Sequence, residues 1–222
     1  MLALLMAALM AVPAPSALEM ARDRQDRPAL QKIIGEYSAA AAKAPNDADA
    51  QHRMALAWSY LAEVQQELHD RKQAQQAAER GMPAAERAVA LRPDAENYRL
   101  LGTLCGQAIA DLLSGLSYGP RAKSAISKAV EMAPQSASVY LARGVGNYYL
   151  PAQLGGGAGG AVSDFRKAIE LDPKNAEAYL WLGIGLHKLN QDAEARRALT
   201  KSLELEPSRI WAQQELDKIP AK

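Results

Sequence analysis

The chain has 222 residues, of which 49% are apolar, 23% charged and only 5% aromatic, and its formal net charge is +1. So even a balance offers no field to attract nucleic acid, and no lysine-arginine stripe takes its place. Length and alanine-rich composition suit one elongated all-helical domain, and no alternating strand pattern occurs in the sequence.

In chain order, the first predicted element is an export signal. Leu2 to Val12 is an unbroken run of 11 apolar residues, followed by Pro13-Ala14-Pro15-Ser16-Ala17. A bilayer crossing takes about 20 apolar residues, so the run is too short for a membrane helix and reads as a secretory signal. Ala14 and Ser16 supply the small residues at minus three and minus one, which places cleavage after Ser16 or one residue later. This divides the chain into a signal over residues 1–16 and a helical repeat domain over 17–222. One feature departs from the pattern: no basic residue precedes the apolar run, the first being Arg22. With no cysteine beside the cleavage site a lipid anchor is not expected, and the product is expected to be soluble, in the periplasm or secreted. The competing reading is an apolar helix that packs on the domain.

A lone capping helix is predicted next, from about Pro28 to a degenerate end at Ala39 to Pro45. Four further helix ends then share one spelling: Arg87 to Pro93, Lys128 to Pro134, Lys167 to Pro173 and Lys201 to Pro207. Twelve residues before each proline stands a small residue, Gly81, Ala122, Ala161 and Ala195. Upstream lies a second small residue, Ala55, Gly102, Gly144 and Gly183, each preceded at four residues by Gln51, Tyr98, Tyr140 and Tyr179. A period of this kind means a solenoid of helix pairs, in which no unit buries its own apolar face without its neighbours.

The glycines predict close approach, since a glycine inside a helix costs about 1 kcal/mol against alanine and packing against a bare backbone offsets it. Each proline pushes the preceding residue out of the helical region, and Asp47, Asp94, Ser136 and Asn175 are predicted to cap the helices that follow. Between the two small residues the units carry insertions of 5, 8 and 14 residues toward the N-terminus, relative to the last. The interval to the proline is constant, so the first helix or its turn is predicted to grow. Ser208 to Ile219 closes the stack as a final helix capped by Ser208, with Ile210 and Trp211 covering its apolar edge.

Little in the sequence points to chemistry. Cys105 is the one cysteine and falls on the apolar side of a first helix, where a buried structural thiol is expected. His52, His69 and His187 lie in different helices at no metal-ligand spacing. Gly155, Gly157 and Gly160 satisfy G-x-G-x-x-G, but the dinucleotide fingerprint requires a preceding strand inside a βαβ unit. Here a helix precedes it, and the run reads as a flexible turn that could clasp a partner. No nucleophile with its base, acid-base pair or metal cluster can be assembled, so no enzyme, cofactor or metal is expected.

The repeat spelling resembles the tetratricopeptide repeat, a helix-turn-helix of 34 residues. The last unit, Ala176 to Arg209, carries the resemblance without a gap through Tyr179, Leu182-Gly183, Leu186, Ala195, Leu199 and Pro207. The resemblance implies an all-α fold: an α-α superhelix of about four helix pairs, right-handed, with N- and C-terminal capping helices. It also implies that ligands lie in a concave groove lined by the first helices. Carried over, the groove positions are His52, Leu56, Ser59 and Tyr60, then Arg99, Thr103, Gly106 and Gln107. Leu141, Val145, Tyr148 and Tyr149 follow from the third unit, and Leu180, Ile184, His187 and Lys188 from the fourth. Of these, Leu141, Val145, Leu180 and Ile184 read equally as core between stacked helices.

A groove of that composition suits the apolar face of a helix or an extended segment with hydrophobic anchors. It lacks the lysine and asparagine set with which some relatives clamp chaperone tails, and that partner is not expected. The reading is therefore an exported scaffold for a protein or peptide partner. Asn147 to Gly157, together with Gly102 to Gly119, resembles segments of bacterial envelope proteins with enlarged tetratricopeptide units, and the enlarged units also resemble those of the periplasmic T component of TRAP transporters, a ring-forming lipoprotein that would imply a small ligand. A monomer would speak for the first, a ring-sized oligomer for the second.

Overall fold

The protein is described by a computed structural model covering residues 16–220. Among these residues all regular structure is helical: α1 (Ala17–Asp23), α2 (Arg27–Lys43), α3 (Ala48–Glu67), α4 (Arg71–Leu91), α5 (Ala95–Gln107), α6 (Leu112–Met132), α7 (Ala137–Tyr149), α8 (Ala158–Leu171), α9 (Ala176–Lys188), α10 (Asp192–Leu205) and α11 (Ile210–Asp217). Helices α3 to α10 make the four expected pairs, α2 is the expected N-terminal capping helix, and each pair stacks on the next. The predicted signal, residues 1–16, lies outside the described residues except for its last residue. That last residue, Ser16, opens α1: its hydroxyl accepts from Glu19 N at 3.2 Å while its own N–H donates to the Glu19 carboxylate at 2.7 Å. Helix α1 was not foreseen, because seven residues are too few to show a helical period.

The caps follow the sequence closely. Asp47, Asp94 and Asn175 each accept a backbone N–H of the first turn. Ser136 holds its cap position without such a bond, its hydroxyl lying 3.0 Å from that of Ser138. Ser208 does not cap α11; its hydroxyl donates to Glu206 at 2.6 Å, and Arg209 occupies the cap position. Trp211 is buried as expected, while Ile210 is exposed and Ile219 fills the edge in its place.

Close approach at the glycines is confirmed by what a Cβ would meet. It would stand 2.7 Å from Ile126 Cγ1 at Gly102, 2.5 Å from Phe165 Cε1 at Gly144 and 2.5 Å from Leu199 Cγ at Gly183. Each contact joins a first helix to its own second helix at the point where they cross. The extra length lies only partly where predicted: in the third pair it falls in the turn, residues 150–157 against 189–191 in the fourth. Helices α4 and α6 run 21 residues against 14 for α8 and α10, whereas α5, α7 and α9 share a length of 13. In the first two pairs the growth reaches the second helices, through Pro83 and Pro120, each of which removes one donor from the helical ladder. In the first pair α3 lengthens as well, to 20 residues.

The stack is not elongated. Its core gathers into two apolar clusters, one over α1 to α5 and one over α8 to α11, and the superhelix curls until the turn before α11 meets α3. That curl determines what the inner face can do.

Candidate functional site

The inner face is built from first helices, and at its centre lies a buried charge cluster that joins the two ends of the described stack. Arg209, 1% exposed, donates from Nε to Glu177 Oε1 at 2.7 Å and from Nη2 to Glu63 Oε1 at 2.7 Å and Glu67 Oε1 at 2.6 Å. Arg22 of α1 reaches Asp23 at 2.7 Å and Glu177 at 3.3 Å, with its guanidinium 4.8 Å from the centre of the Tyr60 ring. Gln25 adds a bond to Glu67 at 2.9 Å. Elements α1, α3, α9 and the approach to α11 are thus tied at one point, and Arg209 Nη1 finds no hydrogen-bond partner among the described residues.

Four carboxylates, Asp23, Glu63, Glu67 and Glu177, share two guanidiniums there, so they cannot all be ionised at low cost. Burial pushes Glu63 up to about 8 in spite of Arg22 and Arg209, and burial also raises Glu67 and Asp23. Burial acts on Glu177 too, but Arg209 and Arg22 outweigh it and hold that carboxyl below its ordinary range. The linkage follows from the sign. A carboxyl raised in the folded state binds a proton that the unfolded chain has released, so its contribution is full below about 4.5 and is lost as pH rises through about 8. Folding stability is expected to fall across that window, and Glu63→Gln is expected to flatten the fall. Urea denaturation at a series of pH values measures both; an unchanged slope in the variant removes Glu63 as the proton's holder.

The second feature is an aromatic wall on α7 and α9. Trp181 is its hub, with ring centres 5.7 Å from Tyr148, 6.0 Å from Tyr149, 6.0 Å from Phe165 and 5.1 Å from Trp211. Tyr148 and Tyr149 meet edge to face at 5.2 Å, and Lys188 Nζ stands 4.2 Å over the Tyr148 ring. Trp181 is buried, whereas Tyr149 is 59% exposed, toward the space inside the curl. Enclosure there, with Tyr148, Glu63, Glu215 and Glu67 nearby, holds the Tyr149 phenol above its ordinary range.

The remaining groove candidates divide by element. Tyr148, Tyr149 and Lys188 come together at the wall, with Leu141 and Val145 packed against the core behind it. Leu180 is fully buried and Ile184 nearly so, both in the core between stacked helices. His187 turns to Asp192 at 2.7 Å, at the α9–α10 turn. In the first two units His52 pairs with Asn97 at 2.8 Å, and Ser59 bonds to Gln107 at 3.0 Å. Arg99 is taken up by Glu96, Leu56 and Tyr60 pack on the N-terminal core, Thr103 is half-buried and Gly106 is exposed. The expected open groove along all four units is instead bridged by α1 and Arg209, because the curl brings both ends of the described stack onto the inner face.

Sequence reasoning missed Arg209, Arg22, Glu177 and Trp181. Glu63 and Glu67 did leave a trace: two acids four apart on the face of α3 that also carries Ala55 and Ser59, a placement that demands buried partners. Cys105 is a buried thiol 3.8 Å from Met82 Sδ, and burial pushes its pKa up. In the glycine turn, Gly155 and Gly157 adopt φ of +86° and +103°, and a Cβ on Gly156 would stand 2.3 Å from Leu150 O. The run is thus accounted for by the turn itself. Among the described residues no group of side chains is placed to hold a metal, and no helix is long and apolar enough to cross a membrane.

Comparison with known proteins agrees with this architecture. The tetratricopeptide repeat matches residues 176–209, and a second match to the same repeat covers 158–190. No curated protein matches in sequence. Among solved structures, a thermophilic tetratricopeptide protein of Thermus thermophilus superposes with a TM-score of 0.61 at 21% identity, over 90% of this chain and 97% of that one. The HusA haemophore of Porphyromonas gingivalis gives 0.55 at 18% identity, over 78% and 94%. PilF of Pseudomonas aeruginosa gives 0.50 at 16%, over 78% and 68%. At these identities the likeness is one of fold. The last units thus carry the tetratricopeptide repeat, and the superhelix that continues through α3 to α8 has the fold of tetratricopeptide-repeat proteins.

Proposed function

We propose that this protein is an exported, non-catalytic scaffold, periplasmic or secreted, that holds a protein or peptide partner against its inner face at the aromatic wall. The observation that carries the reading is Tyr149. It is a large aromatic left more than half exposed on a five-ring cluster whose other rings are buried or half-buried, in a concave setting where partners of helical repeats dock. A long peptide threaded end to end is disfavoured, since α1 and Arg209 cross the face. Selection of binding peptides from a displayed random library tests the reading. Tyr149→Ala is expected to weaken a selected peptide by about 1–3 kcal/mol, while costing less stability than a core truncation of about 3–5 kcal/mol. Unchanged affinity in a folded variant would remove the wall from consideration.

The closure of the inner face favours one second reading, a small-ligand accessory like the T component of TRAP transporters. Light scattering on the purified chain separates the two, a monomer supporting the scaffold and a ring-sized oligomer the accessory. Export is tested by mass analysis of the chain recovered from the periplasm. Cleavage after Ser16 would remove the capping box of α1, at a cost of about 1 kcal/mol to that helix.

A further inference from the structure

In a stack of antiparallel helix pairs, each turn from first to second helix lies on one rim and each return turn on the other. The two rims of this solenoid differ in chemistry. The return turns carry the prolines and capping polar residues, and among the described residues their flanks expose only Met132 and Ile210 as large apolar side chains. The opposite rim exposes an apolar side chain at all four turns, from Leu68 at the first to Leu189 at the last. The greatest exposure is at α6, where Leu112, Leu113 and Leu116 stand 78%, 78% and 70% exposed beside Ile109. Leu154, 67% exposed, marks the next turn.

Three leucines that open to water on one helical end are a standing cost unless something covers them. The sequence around them holds no charge: Leu112 to Pro120 and Leu150 to Ser163 contain no Asp, Glu, Lys or Arg. The acid at the tip, Asp111, is folded back onto the start of α6, where it accepts from Ser114 N at 2.8 Å. Cations stand at the same level. Tyr118 donates to Glu79 at 3.2 Å, and α4 and α6 are parallel second helices. Arg71 and Lys72, seven or eight residues before Glu79, are therefore level with Leu112, six residues before Tyr118. Neither makes an ion pair among the described residues, nor does Lys123 further along α6.

We propose that this rim docks on an anionic lipid surface, with the α6 tip inserted and Arg71 and Lys72 at the headgroups. A second copy of the chain is the weaker occupant. The four tip side chains fall short of the roughly 800 Å² that each partner of a stable dimer buries. A row of separate tips conforms to a fluid interface more readily than to a rigid partner. Apolar tips backed by basic residues suit interfacial binding, in which buried apolar area and attraction to anionic lipid add.

The test uses the full chain and vesicles of phosphatidylcholine with or without phosphatidylglycerol. A polarity-sensitive fluorophore is placed on Leu116→Cys, or for comparison on Gln135→Cys at a return turn, Cys105 being buried and unlabelled. The Leu116 probe is expected to shift to the blue on vesicle addition, more strongly with phosphatidylglycerol, and the Gln135 probe to stay unchanged. Leu112→Ser with Leu113→Ser is expected to lower vesicle affinity of the labelled chain by about tenfold or more. Arg71→Gln with Lys72→Gln is expected to remove the preference for phosphatidylglycerol. No shift at Leu116, equal shifts at both probes, or a shift that depends on protein concentration without vesicles would each overturn the proposal, the last by identifying a second copy as the occupant.

Discussion

Arg209→Ala is expected to lower folding stability by about 3–5 kcal/mol, the usual cost of removing one partner from a buried charge cluster. The variant strips Glu63, Glu67 and Glu177 of a shared donor that lies within 2.7 Å of each. It also leaves Asp23 with Arg22 alone. The loss should not be spread evenly. Because Arg209 ties the approach to α11 against α3 and α9, hydrogen exchange is expected to accelerate first in α1 and α11, with α5 to α8 least affected. A second variant separates charge from shape. Arg209→Met combined with Glu63→Gln and Glu67→Gln removes most of the uncompensated charge, and part of the lost stability should return, since apolar or neutral replacements of buried ion pairs are often tolerated. Urea midpoints of the three proteins decide the matter. If Arg209→Ala unfolds at the parent midpoint, the cluster does not hold the ends together.

Gly144→Leu is expected to be at least as severe, about 3 kcal/mol or more, and local to the third pair. Overpacking a core costs about 1–3 kcal/mol where neighbours can yield. Here the obstacle is Phe165, fully buried, with Cε1 and Cδ1 2.5 and 2.7 Å from where the Cβ would stand. The Asp164 Cβ lies 3.1 Å away on the same helix, so neither neighbour can swing aside without moving α8. Parting α7 from α8 would also break the bonds that Asp164 accepts from Arg143 Nε at 3.1 Å and Asn147 at 2.8 Å. The control sits two residues away. A Cβ at Gly146 meets nothing within 4 Å, so Gly146→Ala is expected to stabilise by about 0.5–1 kcal/mol through helix propensity alone. Thermal melts of the pair read the contrast. A Gly144→Leu protein that melts with Gly146→Ala would show that the helices do not touch where the structure places them.

The two variants bear on function through Tyr149. An anchor exposed inside the curl should lose partner affinity on truncation and little stability, the reverse of what Gly144→Leu does. Tyr148 shows why spacing could not separate these roles. It stands one residue from Tyr149 on the same helix, yet Lys188 covers its ring and Trp181 backs it, while Tyr149 is left open.

The sequence by itself determined the unit and its borders. Glycine against a bulky residue, proline after a helix end and an acid or amide at the next start are local rules, and each depends on neighbours within a few residues. So the four pairs, the caps at Asp47, Asp94 and Asn175, and the contacts of Gly102, Gly144 and Gly183 were legible before any coordinate was known. Helix lengths were less so, because Pro83 and Pro120 look like boundaries and the second helices run through them. What only the tertiary structure decided is the curl. The small rotation between successive pairs leaves no mark on any one pair, yet summed over four it brings residue 209 within hydrogen-bonding distance of residues 63 and 67. That sum places Arg22, Glu63, Glu67, Glu177 and Arg209 in one buried cluster, turns a predicted open groove into a bridged inner face, and leaves Tyr149 facing the space that remains.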